Sequence, residues 1–132
     1  MLYSVKALSV GSLPPAHFET IPRTMADLRP NSIDAIGERL RLIRIAYGIL
    51  NGHNDELSQV DFAQLCGISR QMWNNAERKR ARLGLDNAML LRERTGATLD
   101  YIYEGDRRGL PLALALEIEK LEKTEKHTLK RA

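Results

Sequence analysis

A chain of 132 residues with 43% hydrophobic content has room for one compact domain and its tails. Lys and Arg outnumber Asp and Glu by only 20 to 17, so where the charge sits matters more than its total. A single cysteine excludes an internal disulfide, no apolar run reaches the length of a membrane helix, and the broken apolar stretch at residues 1–15 does not make a signal peptide; a cytoplasmic setting is expected.

Residues 1–30 carry four of the five prolines and little apolar periodicity, which predicts a poorly ordered N-terminal arm. With only Lys6, Arg23 and Arg29 basic, an inert extension is favoured over an arm that enters a DNA minor groove. Translation starting at Met25 would remove most of it. From Asn31 to Leu110 there is no proline, which marks an uninterrupted run of helices, read as one folded unit over 31–110. Ser32 is a good N-cap, Asp34 stands in the first turn, and Ile33, Ile36, Leu40, Ile43 and Tyr47 recur at helical spacing, which predicts a first helix over 33–49. The polar, turn-forming residues 51–56 form a loop, and Ser58 with Asp61 opens a second helix with a capping-box-like pair.

Gln59 to Arg78 is the most patterned stretch. Counting Gln59 as first, the fourth, eighth, tenth, fifteenth and eighteenth places are Phe62, Cys66, Ile68, Trp73 and Ala76, which would form one shared buried face. Ala63 at the fifth place is small enough for a close helix crossing, and Gly67 at the ninth can take the positive φ of a tight turn. Seven places met together, with a glycine in mid-pattern, predict a helix-turn-helix whose second helix is capped by Ser69 and runs over 69–78. Further on, Leu85, Ala88 and Leu91 mark a fourth helix ending at Thr95 and Gly96; Thr98 caps a short fifth over 99–104, and Gly105 closes it. Pro111 ends the domain, and residues 111–132 form a helical tail with Leu114, Ile118 and Leu121 on one face. The fold class is therefore all-α, a compact bundle of about five helices with an arm and a C-terminal helix.

On helix 69–78, Arg70, Gln71, Asn74 and Asn75 fall opposite Trp73 and Ala76, free to enter a groove. Arg reads the O6 and N7 of guanine as a fork, and Asn or Gln reads N6 and N7 of adenine, so these four are the candidate base contacts. From Ser69 to Arg82 there are five cations against one anion, Glu77, an excess suited to a polyanion. Ser69, Lys79, Arg80 and Arg82 are candidate contacts to the DNA backbone, although such clusters also serve simply as solvated surface. Cys66 lies on the buried stripe and reads as a small core residue. His17, His53 and His127 lack the spacing of a metal site or a catalytic set, and there is no glycine-rich phosphate loop, so no metal, cofactor or catalytic residue is expected.

These residues resemble the phage-repressor and Cro-like (Xre-type) helix-turn-helix family over Ile36 to Pro111. Three stretches carry the likeness: 36–41 with Arg44, Leu57 through Glu77, and 85–88 through 95–105. The resemblance implies a sequence-specific DNA-binding regulator that represses or activates transcription, read here as a repressor, and that acts on double-stranded operator DNA as a homodimer. It also implies that Gln59 meets the phosphate backbone and supports the reading helix, and that an Arg44–Glu77 salt bridge ties the first helix to the third. Three departures stand out: residues 49–56 look like an insertion, Lys79 stands where a glycine is usual, and Trp73 is larger than the usual aliphatic residue. Dimer pairing has two candidate surfaces, Leu99, Tyr101 and Tyr103 around the fifth helix and the tail stripe Leu112, Leu114, Ile118 and Leu121; the first is favoured with the tail helping, because a short amphipathic tail can equally well pack back onto its own domain. Two other functions compete, an antitoxin-type or other protein-interaction module whose 111–132 helix docks on a partner, and a DNA-binding protein without sequence preference.

Overall fold

The computed structural model describes residues 29–53 and 56–131, all of whose regular elements are helices. The arm expected at residues 1–30 therefore lies, but for its last two residues, outside the described residues. Six helices follow in order: α1 (Ile33–Leu50), α2 (Gln59–Cys66), α3 (Arg70–Glu77), α4 (Leu85–Thr95), α5 (Leu99–Glu104) and α6 (Leu112–Arg131).

Local chemistry accounts for where they start. The hydroxyls of Ser32, Ser58, Ser69 and Thr98 each accept from the backbone N–H three residues on, satisfying a donor that a helix N-terminus leaves orphaned. Between α2 and α3, Gly67 takes φ 79°, and Ile68 N–H reaches back to Ala63 carbonyl at 3.0 Å, a Schellman closure. A Cβ on Gly67 would meet nothing within 4 Å, so the glycine is required by its φ and not by crowding.

The core forms where α1 crosses the helix-turn-helix. Ile36, Leu40 and Ile43 of α1 meet Phe62, Trp73 and Ala76, all 2% exposed or less. Phe62 stands between the rings of Tyr47 and Trp73, with centroids 5.8 and 5.0 Å away. Every residue of the five-place apolar stripe is buried, as are Ala63 and the Cys66 thiol. Burial pushes that thiol up to about 11, against the opposing pull of Arg94.

The tail helix is part of the same bundle. Leu114 and Ile118 of α6 are 2% and 0% exposed and pack against α1, and Arg41 of α1 bridges Glu125 at 2.6 Å. Burying two such side chains contributes roughly 1.5 to 3 kcal/mol each, ample reason for the stripe to fold inward. Of the two arrangements open to the stripe, pairing or packing back onto its own domain, the second is found: only Leu112 of those four residues is exposed. Of the fifth-helix residues, Leu99 and Tyr103 keep part of their surface and Tyr101 does not. Tyr101 is fully buried, while Tyr103 is half-buried and donates its hydroxyl to Leu83 carbonyl at 2.7 Å.

Candidate nucleic-acid interface

The outward side of α3 is set from within by a buried charge. Glu77, in its last turn, receives Arg44 of α1 in a fork, Nε to Oε2 at 3.0 Å and Nη2 to Oε1 at 2.6 Å. Arg44 also donates through Nη1 to Leu57 carbonyl and to Glu56, so one guanidinium clamps α1, α3 and the entry to α2. The indole Nε1 of Trp73 donates to Glu77 Oε2 at 2.7 Å. A large buried aromatic residue thus has its one polar atom satisfied, and both partners of the ion pair have the hydrogen bonds that make burial tolerable. The salt bridge implied by the resemblance is present. The Trp73 link was missed, although a Trp four residues before a Glu on one helix is its sequence signal.

The ion pair changes the charge seen by solvent. Glu77 is the only anion among residues 69–82 and it is buried against Arg44, so the exposed surface of that segment carries its five cations and no carboxylate. Arg70, Arg78, Lys79, Arg80 and Arg82 are all exposed.

Helix α3 ends at Glu77 and Arg78 is its C-cap, a turn that continues through Lys79 at φ 66°. Lys79 is the only non-glycine residue in the left-handed region among the described residues, and Arg80 N–H bonds Asn75 carbonyl at 2.8 Å to close the turn. Lys79 thus takes the left-handed conformation that a glycine would take freely. Gly37 of α1 explains what the lysine gains: a Cβ there would lie 2.7 Å from Lys79 Cγ and 3.0 and 3.1 Å from the carbonyls of Ala76 and Glu77. The helix end and the lysine stem fill the space beside that glycine.

The candidate contacts divide over two grooves. Arg70, Gln71 and Asn74 line an open one together with Gln59 and Val60 of α2. Asn74 Nδ2 donates to Gln59 Oε1 at 2.7 Å, which ties the start of α2 to the middle of α3. Both side chains are half-buried, whereas Arg70 and Gln71 are exposed. Asn75 lies in the second groove with Met72, Arg82, Leu83 and Asn87. Ser69 Oγ is engaged as the N-cap, and Arg82 Nη1 donates to Asn31 carbonyl at 2.6 Å. Arg80 and Lys79 complete the cationic rim.

Among the described residues no group of three or more His, Cys, Asp or Glu could hold a metal ion, and no helix is long and apolar enough to cross a membrane. The chain matches no protein-family model, no curated protein and no solved structure.

Proposed function

We propose that this protein is a sequence-specific, non-enzymatic DNA-binding regulator of transcription, of the phage-repressor and Cro-like kind, that reads the major groove with α3 and acts as a repressor. The observation that carries the reading is the combination on one short helix: exposed Arg70 and Gln71, backed by the Asn74–Gln59 bond, beside a rim of cations whose only anion is buried. The exposed Arg and Gln supply donors and acceptors for base edges, and the rim supplies attraction for phosphates. Gln59 then serves chiefly by positioning Asn74, and Asn75 meets bases from the far side of the helix.

One helix-turn-helix reads only a few base pairs, so the operator is a near-palindrome bound by two copies with their α3 helices about 34 Å apart. Packing of Leu114 and Ile118 into the bundle argues against the tail as a docking helix for a protein partner. Selection from random duplexes tests the reading. A preferred sequence bound at least about tenfold more tightly than bulk DNA at physiological salt supports it. Equal affinity for all sequences with a steep salt dependence would instead favour a non-specific DNA-binding protein.

A further inference from the structure

An exposed apolar side chain sits among the polar groups of the second groove. Met72 is 55% exposed on α3, beside Asn75, while Trp73 and Ala76 take the buried side of the same helix. Its thioether is held in place: Asn87, in the first turn of α4, donates Nδ2 to Met72 Sδ at 3.4 Å. A methionine has three rotatable bonds, so this bond from a different helix gives a soft side chain a preferred direction. On a surface that reads base edges, the apolar partner available in the major groove is the C5 methyl of thymine, which cytosine lacks.

We propose that Met72, positioned by Asn87, contacts a thymine methyl next to the base read by Asn75, and so selects thymine at one place in each half-site. The assignment rests on the DNA-reading function proposed above. Val60 is another exposed apolar residue beside the candidate contacts, at 45%, but it belongs to the first groove and lies with Arg70 and Gln71; in the second groove Met72 is the long apolar side chain, with only the short Ala81 exposed beside it. Val60 and Met72 therefore address different base pairs.

Deoxyuridine differs from thymidine only by that methyl. With the duplex obtained by selection, each thymine is replaced singly by deoxyuridine and affinity is measured for the full chain and for Met72→Ala, Met72→Leu, Asn87→Ala and Val60→Ala. The expected result is one position per half-site at which loss of the methyl weakens the unaltered protein roughly fourfold, the worth of about one buried methylene. That sensitivity disappears in Met72→Ala, survives in Met72→Leu and Val60→Ala, and shrinks in Asn87→Ala. Sensitivity that is abolished by Val60→Ala and kept by Met72→Ala would overturn the assignment, as would no sensitivity at any thymine. If the operator affinity still depends on Arg70 and Gln71 in that case, the reading helix stands and only the Met72 contact fails. If no sequence is preferred over bulk DNA, both fail together.

Discussion

Trp73, Glu77 and Arg44 form one unit, and each depends on the other two. Glu77→Ala takes the forked carboxylate from a guanidinium 5% exposed, leaving it only the exposed Glu56 and the Leu57 carbonyl, and leaves an indole N–H without an acceptor, so it should cost about 3 to 5 kcal/mol. Trp73→Ala should cost a similar ~3 to 5 kcal/mol through the cavity it leaves beside Phe62. Urea unfolding of both singles and the double variant is the check, and the double variant should fall short of the sum because the two side chains share a hydrogen bond. Additive losses would show that the shared bond contributes little. Of this unit, the Arg44–Glu77 pair is legible from family resemblance, and the Trp73 link is not, because the apolar stripe reports the volume of an indole and not the partner of its N–H. Tyr101 differs for a related reason: three large residues near a helix look like a pairing surface, but burial is set by how α1 and α4 pack on α5. Its hydroxyl is buried with no hydrogen-bond partner among the described residues, and burial pushes it from 10.0 up to about 12. The unfolded chain gives up this proton first, so stability is full below pH 10 and falls as pH rises from there towards 12. Tyr101→Phe should remove that component of the alkaline loss and leave stability at neutral pH unchanged or raised by about 1 kcal/mol, readable in thermal melts at pH 7 and pH 11.

At the scale of the elements, starts were easier to read than ends and contacts. Four serine or threonine caps stood at their predicted places because an N-cap is a local hydrogen bond that needs no tertiary partner. The end of α3 needed the neighbouring helix. Lys79 carries the positive φ that a glycine would take freely, and Gly37 on α1 makes room for it, a pairing of residues 42 positions apart that no local pattern announces. Gly37→Val is the test of this packing. Added carbons would press on the carbonyls of Ala76 and Glu77, 3.0 and 3.1 Å from a Cβ, so α1 and the end of α3 should separate at a cost of about 1 to 3 kcal/mol. Stability unchanged in denaturant titration would mean that the helices are more loosely apposed than the geometry requires.

In the whole molecule, the helix-turn-helix is one side of a bundle that α1 and α6 complete. Truncation after Gly109 removes Leu110, Leu114 and Ile118, all of them core residues. Losing three such side chains, at about 2 to 5 kcal/mol each, exceeds or matches the stability of a typical domain, so the shortened chain should lose its cooperative thermal transition by circular dichroism. A shortened chain that melts cooperatively near the full-length temperature would make 112–131 an appendage after all. The all-α class and the order of helices followed from periodicity and caps, whereas the inward fold of α6 did not, because an amphipathic stripe says that it is covered and not by what. The central claim is that α3 reads DNA, with Arg70 and Gln71 on base edges and Arg80 on phosphate. The most direct measurement compares the affinities of the unaltered protein, Arg70→Ala, Gln71→Ala and Arg80→Ala for the selected operator and for bulk DNA across a range of salt. Arg70→Ala and Gln71→Ala should each lose about 1 to 3 kcal/mol on the operator and relax the preference at one base pair, with little change on bulk DNA beyond the lost charge of Arg70. Arg80→Ala should weaken both and lower the salt slope by about one unit. Operator affinity unchanged in both Arg70→Ala and Gln71→Ala would contradict the account, because it would place the reading surface on another helix.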